Sequence, residues 1–130
     1  MTDEAPSTLG QPKIRVRNVT YEYDGEIALE DVSLDVPANA ITAIFGPAGG
    51  GKSTLLRLMN RLNDLVEGTR MSGHILLDGQ DIYAPDVNVS YLRRRVGMVF
   101  ALPLPLPGTV RENVLKGPEL AGERDRTRLD

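Results

Sequence analysis

A length of 130 residues suits about one small domain rather than a multidomain enzyme, and a hydrophobic share of 41% is that of a chain that folds. Fifteen Lys and Arg against 18 Asp and Glu leave a formal charge of -3, so no basic field awaits a nucleic-acid backbone and nucleic acid is not an expected partner. With no Cys and a single His there is neither a disulfide framework, nor a thiolate metal site, nor a histidine-rich one.

Residues 1–12 carry Pro6, Ser7, Gly10 and Pro12 without periodic apolar positions and are expected to be a flexible lead-in outside the fold. The acidic start lacks the positive region of a secretory signal, and nowhere do about 18 apolar residues run together, so neither export nor a membrane span is expected. Ile14, Val16, Val19, Tyr21 and Tyr23 nearly alternate, with one phase slip at Arg17-Asn18 that reads as a bulge, before the turn dipeptide Asp24-Gly25. Val32, Leu34 and Val36 alternate in a second strand that ends at Pro37, and the two are expected to pair as an antiparallel layer.

Ile41-Thr42-Ala43-Ile44-Phe45 is a nearly unbroken apolar run, which predicts a parallel core strand buried on both faces. Beyond a glycine stretch, Leu55, Leu58, Met59 and Leu62 follow the spacing of one helix face over about three turns. Asp78-Gly79 between two short apolar runs predicts a hairpin. Residues 89–95 read as a brief helix and 96–100 as a second buried strand. The segment 102–108 has three residues without an N–H donor and is expected to be a surface connection. Thr109 with Glu112 forms a capping-box pattern, so a helix should start there and stop near Gly117-Pro118; a charged, helical tail is expected over residues 119–130.

The glycine stretch carries the chemistry. Gly46-Pro47-Ala48-Gly49-Gly50-Gly51-Lys52-Ser53-Thr54 matches G-x-x-x-x-G-K-[ST] between a predicted strand and a predicted helix. Glycines let the backbone curl so that consecutive N–H groups face one concavity, and the helix that follows adds unpaired N-terminal donors and the positive end of its dipole. In such a loop Lys52 serves the beta and gamma phosphates, the Ser53 hydroxyl ligates Mg2+, and Thr54 offers a hydroxyl to the alpha phosphate. The bland alternative is a glycine turn with a stray lysine. Average residue usage makes a chance match at the four fixed positions an event on the order of a few per thousand chains of this length.

With those residues placed, the chain resembles the ATP-binding subunits of ABC transporters, and among them those of bacterial phosphate importers. The likeness runs from about Lys13 to Asp130 and is carried by Ala28-Leu29-Glu30-Asp31-Val32, by Asn60-Arg61-Leu62-Asn63-Asp64, by Gly73-His74-Ile75-Leu76-Leu77-Asp78-Gly79, by Asp81-Ile82-Tyr83 and by Leu92-Arg93-Arg94-Arg95-Val96-Gly97-Met98-Val99-Phe100. It implies an α/β fold, a P-loop NTPase core of ABC ATPase type with an N-terminal antiparallel β layer, incomplete, over residues 13–130, with the helical subdomain starting at about 109–130. It implies ATP and Mg2+ as cofactors, transmembrane permease subunits and a second ATPase subunit as partners, and a peripheral, cytoplasmic place on the inner face of the cell membrane. Tyr23 matches the aromatic that stacks on adenine, with Tyr21 the neighbouring candidate; a tyrosine on a half-buried strand is also what β propensity favours.

Two departures limit what the resemblance implies. Where most relatives have a glutamine that reaches Mg2+ and the attacking water, this chain has Ala101, and no Gln follows Gln80. The Leu-Ser-Gly-Gly-like signature, the apolar strand ending in Asp-Glu and the switch histidine are not found. Asp78 is followed by Gly79 where a general base would stand, His74 precedes the expected switch position, and residues 93–95 read as a solvated basic face. The expected function is therefore ATP binding, with hydrolysis only in the full-length subunit, energising import of inorganic phosphate across the membrane. The alternatives are a truncated non-hydrolysing nucleotide-binding module or another small P-loop NTPase or kinase.

Overall fold

In the computed structural model, which describes residues 12–123, the first alternating segment is strand β1 (Pro12–Tyr23), paired antiparallel with β2 (Glu26–Pro37). The expected lead-in thus yields Pro12 to the sheet, and its residues 1–11 lie outside the described residues. The predicted phase slip is a real bulge: the register shifts between Val16 and Val19, and Asn18 takes a φ of 47°. Its partners are side chains of β2, since the Asn18 amide donates to Ser33 Oγ at 2.8 Å and its side chain to Asp31 Oδ1 at 2.9 Å. Further along, β3 (Thr69–Leu77) lies on the other side of β1, and the two-residue β4 (Gln80–Asp81) follows the Asp78-Gly79 turn, where φ values of 52° and 82° give the double left-handed geometry of a tight hairpin. The sheet order is β2-β1-β3-β4, antiparallel throughout.

Helix α1 (Lys52–Met59) lays Leu55, Leu58 and Met59 on this sheet, against Val16, Val19 and Ile75, which are fully buried. It has about two turns rather than three. Asn60 ends it, Arg61 turns left-handed with φ 60°, and a short 3-10 turn (Leu62–Leu65) follows, so Leu62 lies outside the helix expected to carry it. Helix α2 (Val89–Arg95) matches the expected bounds, with Asn88 Oδ1 accepting from the Tyr91 amide at 2.9 Å and Leu92 buried.

The two predicted parallel core strands do not form. Residues 41–45 pair with no strand among the described residues, and Ile41 is 100% and Phe45 93% exposed. Residues 96–100 are likewise irregular, with Val99 99% exposed. An apolar run records which environment a segment favours; a ladder also needs a partner strand, and the described strands engage only one another.

The chain divides into two compact units, up to Met98 and from Val99. In the second, 102–108 is irregular and exposed as expected, and α3 (Val110–Leu120) follows it. The capping box is complete: Glu112 N donates to Thr109 Oγ1 at 3.2 Å, and Thr109 N donates to Glu112 Oε2 at 2.6 Å. The helix runs past Pro118 to Leu120, because the carbonyls around the proline still find donors, Ala121 N to Gly117 O and Glu123 N to Pro118 O, both at 3.0 Å. The predicted tail continues into residues 124–130, outside the described residues.

Candidate functional site

The loop of residues 46–54 turns through two left-handed glycines, Gly49 with φ 77° and Gly51, and it closes on the second. Gly51 has φ 76° as the residue that opens α1, and a Cβ there would lie 2.6 Å from both Ala28 O and Leu29 Cδ2. Only glycine lets the loop close onto the start of β2 at this point. Ala28 and residues 49–54 line a cavity of about 200 Å3. Its donors are those of a helix start, where the first amides of α1 have no partner within the helix.

Lys52 folds over this loop. Its Nζ donates to Gly46 O at 2.9 Å and to Pro47 O at 2.6 Å, and Pro47 O also accepts from Gly50 N at 3.2 Å. An ammonium has three protons, so the two loop carbonyls leave one for an anion. Gly46 and Pro47 thus hold the lysine, residues 49–54 shape the cavity, and Ala48 is exposed in the turn between them. The donor set, main-chain amides with one ammonium and no carboxylate in the lining, fits a polyanionic phosphate chain. For a divalent cation the lining offers only hydroxyls, Ser53 foremost, and among the described residues no group of three or more His, Cys, Asp or Glu is placed to hold a metal.

Tyr23, at the end of β1, is half-buried, and its hydroxyl lies 3.3 Å from Thr54 Oγ1. Its ring meets that of Tyr21 edge-on, with centroids 4.9 Å apart. Tyr21 is 3% exposed and belongs to the core, where burial pushes its hydroxyl pKa up; Tyr23 is the aromatic beside the loop. On the other side of Thr54, the buried Asn63 donates from Nδ2 to the Thr54 carbonyl at 3.3 Å. The sequence flagged Asn63 only within a stretch that carried the resemblance. An Asn on the buried side of an amphipathic helix end was the signal that its amide has work inside the fold.

The other polar candidates stand apart from the loop. His74 Nδ1 pairs with Asp81 Oδ2 at 2.7 Å. Asp78 sits in the hairpin turn, where hydrogen bonding from Lys13, aided by Arg95, holds its carboxyl below the usual range. In the basic run Arg94 and Arg95 are exposed, as expected of a solvated face, and Arg93 departs from it. Arg93 is half-buried and donates to Arg61 O at 2.7 Å and to Asn60 O at 3.3 Å, capping the end of α1, while Arg94 lies over the Tyr91 ring and Arg95 pairs with Asp78. Adjacent residues on a helix point in different directions, so Arg93 turns inward while Arg94 and Arg95 both reach the Tyr91 ring on the surface. Ala101, in the second unit, presents a methyl group alone.

A glycine loop of this spacing, opening a helix that packs on an antiparallel sheet, defines a P-loop fold of the ABC ATPase type. Residues 29–130 match the family model described as ABC transporter, and the chain belongs to that family. It is 49% identical over 120 residues to phosphate import ATP-binding protein PstB 1 of Vibrio cholerae serotype O1, covering 92% of this chain and 44% of that protein. It is 48% identical over 112 residues to phosphate import ATP-binding protein PstB of Salinibacter ruber, covering 86% of this chain and 45% of that protein. The chain therefore spans less than half the length of these curated relatives. Among solved structures, cbiO1 from Clostridium perfringens, part of the ABC transporter complex cbiONQ, superposes with a TM-score of 0.72 at 28% identity, over 91% of this chain and 46% of that one. A bacterial Atm1-family ABC exporter with ATP bound gives a TM-score of 0.70 at 32% identity, over 86% of this chain and 19% of that one.

Proposed function

We propose that these residues bind ATP through the loop 46–54, and that they do so as the nucleotide-binding portion of an ATPase that energises import of inorganic phosphate. The observation that carries the reading is the loop itself: a cavity of about 200 Å3 rimmed by helix-start amides, with the Lys52 ammonium held at its edge by the Gly46 and Pro47 carbonyls. In this reading Lys52 exchanges loop carbonyls for phosphate oxygens, the amides of residues 49–54 take the rest of the chain of phosphates, Ser53 supplies one hydroxyl to Mg2+, and Tyr23 offers its ring to adenine. Held beside the Ser53 hydroxyl, Mg2+ would supply charge neutralisation to the phosphates. Kinship to the two phosphate-import proteins supports phosphate as the cargo. With it come permease subunits and a second ATPase subunit as partners and a peripheral position on the inner face of the cell membrane; among the described residues no helix is long and apolar enough to cross one.

Binding without turnover is the expected behaviour of these 130 residues. They contain no signature sequence and no apolar strand ending in Asp-Glu, and Ala101 brings no amide to the reacting centre. Titration calorimetry with ATP and Mg2+ tests the binding: heat of binding in the wild type, and none in Lys52→Ala, is the expected result, whereas equal affinity in both means the loop is not the site. Sustained ATP hydrolysis by the rigorously purified chain would contradict the absence of turnover.

A further inference from the structure

Thr54 is gripped from two sides by residues that are neither in the loop nor in α1. The Tyr23 phenol meets its hydroxyl at 3.3 Å, and the Asn63 amide donates to its carbonyl at 3.3 Å. Neither contact follows from the demands of the strand or the helix. A ring on β1 has no need of a hydroxyl for packing, and an Asn that is 2% exposed is a costly choice against Leu unless its amide is used. Thr54 in turn lines the cavity.

The direction of the first contact matters. A phenol is the stronger acid of the two hydroxyls and the better donor, and when it donates to Thr54 Oγ1 the threonine keeps its own proton for another acceptor. We propose that Tyr23 and Asn63 are positioning residues of the phosphate site: the Tyr23 hydroxyl sets the Thr54 hydroxyl as a donor into the cavity, and Asn63 fixes the Thr54 carbonyl from beneath. The inference rests on the reading of residues 46–54 as a phosphate site. It separates two roles of one residue, since an aromatic that only stacks on a base needs its ring, whereas this role needs its oxygen.

Tyr23→Phe keeps the ring and removes the oxygen, and inorganic tripolyphosphate removes the base from the ligand. Calorimetry on the 130-residue chain is expected to show Tyr23→Phe weakening tripolyphosphate and ATP alike by roughly threefold to tenfold, the worth of one net hydrogen bond. The affinities are compared well below the unfolding midpoint of both chains, where a merely structural role would leave them unchanged. In a Thr54→Val background the same change is expected to have no further effect, because its partner is gone. In the ligand-free chain, amide exchange at residues 53–56 is expected to quicken in Tyr23→Phe and in Asn63→Leu; the first keeps the test sound should the second fail to fold. Unchanged tripolyphosphate affinity in Tyr23→Phe overturns the proposal, as does unchanged amide exchange. A wild type that takes up neither ATP nor tripolyphosphate defeats the phosphate-site reading instead, and exchange in the ligand-free chain then decides the tether by itself.

Discussion

Gly51 is the position where a single methyl group would do most damage. A side chain there must adopt φ 76° and also place its Cβ 2.6 Å from the Leu29 side chain and from the Ala28 main-chain oxygen, which cannot retreat without moving β2. Gly51→Ala is expected to cost about 1–3 kcal/mol of stability, read as a lower urea midpoint, and to abolish ATP binding in calorimetry together with the loop geometry. At this scale the sequence was highly legible. The spacing of Gly46, Gly51, Lys52 and Ser53 announced the loop, and Tyr23 was found beside it. What it did not reveal is which polar residues support the loop. The Asn63 and Arg93 contacts join positions 9 and 32 or more residues apart, and no local periodicity encodes such a pairing.

Elements were legible in proportion to how locally they are determined. The bulge at Asn18, the Asp78-Gly79 hairpin, the bounds of α2 and the capping box of α3 are all settled by a few adjacent residues, and all appear as read. The capping box gives a pH-dependent prediction. Hydrogen bonds from Thr109 hold the Glu112 carboxyl below its ordinary range, so the contribution is present above the unfolded carboxylate pKa and disappears as pH falls through the lower, folded one. Far-UV circular dichroism is expected to show helix loss from α3 on acidification. Thr109→Ala, which costs roughly 0.5–2 kcal/mol as the loss of an N-cap, should show a comparable loss already at neutral pH. The strands expected over residues 41–45 and 96–100 depend on neighbours distant in sequence, and these were misread for that reason.

On the scale of the molecule, the apolar segments left without a ladder govern behaviour in solution. Ile41, Phe45, Val99 and Leu104 are each more than four-fifths exposed, a density of apolar surface that favours association. Sedimentation velocity is expected to show concentration-dependent self-association, reduced in Phe45→Lys and Leu104→Lys. An unaltered profile in both variants would place the contact elsewhere. The strand β2, which among the described residues has β1 on one side only, closes with Pro37 and carries Glu26, Glu30, Asp31 and Asp35. A foreign strand approaching that margin meets repelling carboxylates, a kink at Asp31 and a terminal residue that cannot donate. The folded layer is thereby insulated against runaway lateral growth, and any clustering of copies is directed to the greasy segments that no ladder holds.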